Sequence, residues 1–285
     1  MSELIKIDFA PVASVVNNLI NKIAQGTGYL FTKETPEKIA FEGYVADIRN
    51  SSLSPIHKAV LISNAKRDIK QYANQKDIVE ETQRQLDETA CPQGMDDDWL
   101  NAFMDKARLI SDKEVQKIWS KILAGECNNP GKFSKRLLNT LFQMERASAE
   151  TFTKICRVTV KIIKNNGDTE INPIIFLFDN ENYYKSIGLT EENLKYLALF
   201  GLVEFSSMDI IAEYACYSEC GFASVNYFDN ILKIPQNIRN LEIGNLKFTQ
   251  IGEELFNAIT VNCDEKFWNE ICIPSFEKCF KDRPS

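Results

Sequence analysis

Across 285 residues the chain carries 44% hydrophobic and 26% charged side chains, the balance of an ordinary globular protein and not of a disordered or fibrous one. Its apolar stretch from Pro11 to Phe31 is interrupted by Asn17, Asn18, Asn21, Lys22 and Gln25, whereas an inserted helix needs ~20 nearly unbroken apolar residues. No membrane insertion and a cytoplasmic setting are therefore expected, and the net charge of −7 becomes the next constraint.

That charge is unevenly divided. Residues 1–95 hold 11 basic and 12 acidic groups, residues 96–165 hold 13 and 9, and residues 166–285 hold 9 and 19. Any nucleic-acid contact must therefore be assigned to one third of the chain, because affinity for phosphates depends on Lys and Arg. Eight cysteines (91, 127, 156, 216, 220, 263, 272 and 279) are too sparse for a disulfide scaffold. The closest pair, Cys216 and Cys220, lacks the Cys-x-x-Cys spacing of zinc sites, so free thiols, no metal and no cofactor are expected.

In chain order, Val12, Val15, Val16, Leu19, Ile20 and Ile23 recur at helical spacing and predict a first helix over 11–30. Thr35 and Pro36 start a second, which runs through Ala40, Tyr44 and Ile48 to the Ser51–Ser54 cluster. The stretch 56–90 is the longest helical signal. Ile62, Ala65, Ile69, Tyr72, Lys76, Val79, Gln83 and Leu86 alternate at spacings of three and four, which is a heptad seam. Either that seam packs inside a bundle, or Ile62, Ile69, Tyr72, Val79 and Leu86 form a self-association surface.

Cys91-Pro-Gln-Gly breaks the helix, and Asp96-Asp97-Asp98 opens another bearing Trp99, Phe103 and Ala107. Consecutive helix residues fan out by about 100°, so these carboxylates complement the helix dipole and do not converge on one ion. Ser111 and Glu114 read as a capping box for a helix carrying Val115, Ile118, Trp119, Ile122 and Leu123. After Asn128-Asn129-Pro130-Gly131 comes a helix with Leu137, Leu138, Leu141 and Phe142. Another is predicted from Ser148 to Ile163.

Beyond Asn165-Asn166-Gly167-Asp168 the texture changes, and the domain boundary is placed at 165–170. Ile171–Phe178 reads as a strand, Thr190 caps a helix that ends at Gly201, and Leu202–Phe205 reads as a strand. Leu246–Phe248 is a later strand, and Thr249 starts a last helix. Helix, strand, long excursion, strand, helix is the order of a winged-helix-like module. The fold class expected is thus mainly α: an N-terminal helical region with a long helix (1–95), a central helical block (96–165) and a C-terminal α+β winged-helix-like module (166–285).

For chemistry, the segment Gly125 to Ser134 approaches a P-loop but fails its spacing. Five residues separate Gly125 from Gly131, and Phe133 intervenes before Ser134. A weaker anion site survives, with Lys132, Lys135 and Arg136 around a helix N-terminus. On the predicted 148–163 helix, Lys154, Arg157, Lys161 and Lys164 follow a 3-4-3 spacing and share one face. That face suits a nucleic-acid backbone, an acidic protein surface, or the acidic C-terminal third of the same molecule. The single histidine, His57, has no recognisable nucleophile motif to serve.

In order, the chain shows Asp97-Asp98-Trp99-Leu100, Ser111–Trp119, Ile122-Leu123-Ala124-Gly125-Glu126 and Asn129-Pro130-Gly131-Lys132-Phe133-Ser134-Lys135-Arg136-Leu137-Leu138. This block resembles the central block of a bacterial family catalogued as domain of unknown function 2806. A looser likeness, carried by Phe248-Thr249-Gln250-Ile251-Gly252-Glu253-Glu254-Leu255, is to abortive-infection alpha type phage-defence proteins. The resemblances imply a bacterial accessory or defence context and supply no catalytic residues. A non-enzymatic interaction or sensor protein is expected, associating with itself or another protein, with a nucleic-acid-binding effector and an enzyme of unfamiliar type as alternatives.

Overall fold

The computed structural model describes residues 13–28, 37–164, 167–177, 179–213, 223–235, 238 and 240–282. Val12, Thr35, Pro36, Phe178, Cys216 and Cys220, all named above, lie outside them. The chain is mainly helical with sheets in its C-terminal part, and it divides into two compact units at Phe142/Gln143. The helix around Phe152 therefore belongs with the sheets and not with the Trp-bearing block.

In the first unit, α1 (Ala13–Thr27) buries Val15, Val16, Leu19, Ile20 and Ile23. It packs on α4 (Asp97–Ala107) and on the short turn Pro92–Gly94. Helix α2 (Glu37–Asn50) pairs with the long α3 (Pro55–Gln83), whose C-terminal half also packs on α4 and on α5 (Lys113–Asn128). Polar side chains set that register. Asn74 Nδ2 donates to the Arg108 carbonyl, which lies past the end of α4, and Gln75 Nε2 adds a second donor to the Met104 carbonyl, both at 2.9 Å. Thr82 Oγ1 donates to the Ser120 carbonyl of α5 at 3.2 Å. Trp99 stacks on Phe103 at 5.3 Å, and Phe103 meets Trp119 in a tilted contact at 5.1 Å, all three buried within the unit.

The three aspartates at α4 have separate partners. Asp96 is the N-cap, accepting from Trp99 N at 2.8 Å, and this bond together with nearby Lys135 holds its carboxyl below the usual range. Asp97 pairs with Lys22 at 2.6 Å, and Lys135 sits 3.5 Å from both Asp96 and Asp98. The cap of α5 lies one residue later than the sequence reading places it. Asp112, not Ser111, accepts from Glu114 N and Val115 N at 2.9 and 3.1 Å, so the expected Ser111–Glu114 box is not formed. Asp112→Ala should cost about 1 kcal/mol in urea unfolding, and Ser111→Ala less than about 0.5 kcal/mol; equal losses would return the cap to Ser111. Helix α6 (Lys135–Gln143) closes this unit.

In the second unit, the helix expected over 148–163 is shorter. Helix α7 (Arg146–Arg157) stops at Val158, and Thr159–Ile163 forms strand β1. The β-branched run Val158-Thr159-Val160 and Ile162-Ile163 loses χ1 freedom in a helix and packs well on a pleated surface. Accordingly Val160 and Ile162 are buried, while Lys161 points outward. Strand β2 (Thr169–Pro173) is antiparallel to β1 and shorter than the Ile171–Phe178 strand expected. Helix α8 (Glu181–Ser186) precedes α9 (Glu191–Leu199), which is capped by Thr190 and followed by Gly201 at φ +68°, as the sequence indicated.

Strands β3 (Val203–Glu213), β4 (Ser224–Tyr227), β5 (Asn230–Lys233) and β6 (Asn240–Phe248) complete two antiparallel sheets, ordered β2-β1-β4-β5 and β3-β6. The segment after β2 joins the second sheet where Ile175 bridges Gly244. Gly244 has φ +93°, and a Cβ there would overlap the Ile175 carbonyl. Helix α10 (Gln250–Phe256) starts at the cap Thr249. A π-helical turn, Phe267–Cys272, then runs directly into α11 (Ile273–Asp282), which keeps Pro274 within a continuing helix.

Candidate functional site

The Pro-Gly turn expected to hold an anion already holds one, supplied by the chain. Glu126, on the last turn of α5, is 1% exposed. Its Oε1 accepts from Gly131 N at 2.6 Å and its Oε2 from Phe133 N at 2.9 Å. Burial pushes its pKa above the ordinary carboxylate value, with the turn amides acting in the opposite direction. Gly131 adopts φ +85°, and the Phe133 ring lies across Gly125, where a Cβ would come within 2.7 Å of it. The Gly-Glu and Pro-Gly-x-Phe elements thus form one interlocking turn. Its amides, the groups a phosphate would need, face the Glu126 carboxylate.

Two of the three cations around this turn also have partners in the framework. Lys132 Nζ lies 5.2 Å above the Phe133 ring, Lys135 serves Asp96 and Asp98, and Arg136 is exposed on α6. Nor do Lys154, Arg157, Lys161 and Lys164 share one helix face. Lys154 and Arg157 occupy the last turn of α7, where cations favour the helix dipole, and Lys161 stands on β1. Lys164 pairs with Glu170 across the β1–β2 hairpin.

The heptad seam of α3 is likewise used internally. Val79 and Leu86 are buried, and Ile62, Ile69 and Tyr72 are half-buried. On the opposite side lies a stripe that periodicity for core packing did not single out. Ile56, Val60, Ser63, Arg67 and Lys70, at spacings of 4-3-4-3, are all exposed. The same side is covered further along at Asn74 and Ile78, where α4 and α5 begin to pack. Ile56 is 71% and Val60 52% exposed, with Leu53 and Tyr44 also exposed at the same end of the α2–α3 hairpin. Sequence inspection had the signal: two large aliphatics out of phase with the seam.

In the second unit the most connected side-chain cluster is aromatic. Tyr183 donates to Asp264 Oδ2 at 3.0 Å, Asp264 N donates to the Tyr227 hydroxyl at 2.8 Å, and Tyr227 donates to the Arg157 carbonyl at 2.7 Å. Asp264 also accepts from Phe267 N at the start of the π-helical turn, and Tyr227 stacks on Trp268 at 5.6 Å. Burial pushes both phenols upward, so they remain neutral donors that tie the last helix to the sheet. Among the described residues, no group of three or more His, Cys, Asp or Glu side chains is arranged to hold a metal. No described helix is long and apolar enough to cross a membrane.

Together these features define a two-unit, mainly helical chain in which several motif residues serve the framework and in which the end of the α2–α3 hairpin is among the exposed apolar surfaces. A family model described as "Protein of unknown function (DUF2806)" matches residues 63–272, and the chain belongs to that family. The match spans both units and begins within α3, so Tyr44, Leu53, Ile56 and Val60 precede it. No curated protein and no solved structure matches the chain.

Proposed function

We propose that this chain is a non-enzymatic interaction protein that self-associates through the exposed side of its α2–α3 hairpin. The observation that carries this reading is the pairing of Ile56 and Val60 on an exposed stripe of α3, with Leu53 and Tyr44 also exposed towards the same end of the hairpin. Covering a Val or Ile side chain gains about 1.5–3 kcal/mol, so two such residues left in water favour a partner. The helix, strand, excursion, strand, helix order of α9, β3, β6 and α10 is compatible with a winged-helix-like module, here in an acidic setting that suits protein better than nucleic acid.

Light scattering at micromolar concentration is expected to show a species larger than one chain. The double variant Ile56→Asp/Val60→Asp should weaken its association by more than about tenfold, because each buried carboxylate would face an apolar partner surface. Both positions are exposed, so the variant should keep the wild-type circular dichroism. A monomeric wild type, or a double variant that associates as well as wild type, would remove the proposal.

A further inference from the structure

The exposed stripe on α3 has a direction. Its apolar residues, Ile56 and Val60, lie toward the N-terminal end, and its cations, Arg67 and Lys70, lie toward the C-terminal end. The surroundings reinforce the positive end: between Arg49 and Lys70 there are five basic side chains and one acidic, Asp68. Lys66 and Lys70 carry no ion pair among the described residues, and Arg67 meets Asp68 at 3.8 Å and donates to Asn64 Oδ1 at 3.0 Å, both on its own helix.

A second exposed stripe runs the opposite way. Helix α9 buries Leu194 and Leu197 and presents Glu192, Tyr196 and Leu199, one above another at spacings of four and three. Leu199 is 81% exposed and Tyr196 is also exposed. Here the acid lies toward the N-terminal end and the apolar pair toward the C-terminal end. Between Asp179 and Glu204 there are five acidic side chains and two basic. Both of those cations are taken by neighbours, Lys185 by Glu181 at 2.5 Å and Lys195 by Glu191 at 2.6 Å. Glu192 carries no ion pair among the described residues.

From this we infer that α3 of one copy docks antiparallel on α9 of a second copy. Ile56 and Val60 then lie against Leu199 and Tyr196, and Arg67 and Lys70 lie against Glu192. The spacings match: Val60 to Arg67 and Leu199 to Glu192 are each seven residues, about 10 Å along a helix. Antiparallel packing also sets the helix dipoles favourably.

Pairing two α3 stripes with each other satisfies neither end. Side by side and parallel, it sets Arg67 and Lys70 against the same cations of the other copy. Antiparallel, it sets them against Ile56 and Val60. The match with α9 is therefore between unlike surfaces, which forms a two-fold dimer with two reciprocal contacts or a head-to-tail ring or filament. This inference rests on the self-association proposed above and adds its second surface.

Three full-length chains test it by light scattering: wild type, Ile56→Asp/Val60→Asp, and Leu199→Asp. Each variant alone should lose association by more than about tenfold. An equimolar mixture of the two should form a one-to-one dimer, since each retains the surface that the other lacks. Separately, Arg67→Glu/Lys70→Glu and Glu192→Arg should each weaken association about tenfold, and their combination should recover most of the loss. Unchanged circular dichroism shows that each variant is folded, and Leu199→Ser replaces the aspartate variant if it is not. If Leu199→Asp and Leu199→Ser associate like wild type, α9 is not the partner and this inference fails, while self-association through α3 stands. A mixture that stays monomeric also overturns the inference. A wild type that is itself monomeric overturns both.

Discussion

Glu126→Ala is expected to destabilise the first unit by about 1–3 kcal/mol, because the buried Phe133 amide loses its acceptor and an unsatisfied buried group costs about that much, while the amide of the exposed Gly131 can turn to water. Glu126→Gln should cost less, since one side-chain oxygen still accepts while the new amide nitrogen faces an N–H. Urea unfolding measures the loss, and amide exchange at Gly131 and Phe133 should quicken in the alanine variant. A loss below about 0.5 kcal/mol would mean that the turn holds its shape without the carboxylate.

The pH dependence has a definite sign. Burial raises the pKa of Glu126 in the folded chain above its ordinary value, so within the window between the two the native state binds more protons than the unfolded state. Stability from this group therefore falls as pH rises through that window and is regained as pH falls through the folded pKa. Most carboxylates act in the opposite direction. Wild type should gain on Glu126→Gln as the solution is acidified through the window, and a gap that widens toward neutral pH in favour of wild type would contradict the assignment.

Gly252→Ala should cost about 3 kcal/mol, although alanine is favoured over glycine by about 1 kcal/mol within an unconstrained helix. The reason is a close approach. A Cβ at Gly252 would overlap the carbonyl oxygen of Leu202, and that oxygen also accepts from Thr249 N at 3.1 Å. Thr249 Oγ1 in turn donates to the Gly201 carbonyl at 2.6 Å, and it accepts from Gly252 N at 3.1 Å. The start of α10 is thus pinned to the residues that lead into β3, and only backbone movement makes room for a methyl group. Thermal unfolding with a lowered midpoint supports this; a raised midpoint would show that propensity prevails over the contact. The Phe-Thr-x-x-Gly-x-x-Leu element accordingly has a structural reason for its Thr and Gly.

Several elements were legible before any coordinates. The apolar spacing of α1 and the Thr190 and Thr249 caps are local patterns, and local backbone chemistry suffices to specify them. The helix expected over 148–163 shows where periodicity misleads, because Phe152, Ile155, Thr159 and Ile162 fit a helical spacing across what is a helix followed by a strand. The choice was made by pairing: Lys161 lies opposite Ile171 on one side and Asn226 on the other, and no local rule contains those partners. The Ser111–Glu114 reading erred by one residue, since Ser and Asp cap almost equally well and only the path of the chain into α5 separates them.

For function, the sequence by itself determined the family and its motif block, the uneven charge and the absence of a P-loop spacing. All of these follow from residue identity and order. Only the tertiary structure decided what those residues do. It turned the amides of the Pro-Gly turn onto the Glu126 carboxylate, separated Lys154 and Arg157 from Lys161, and buried Val79 and Leu86 of the seam. The apolar end of the hairpin emerged by the same route. Which side of α3 remains in water depends on where α4 and α5 stop packing, and burial is a property of the assembled chain.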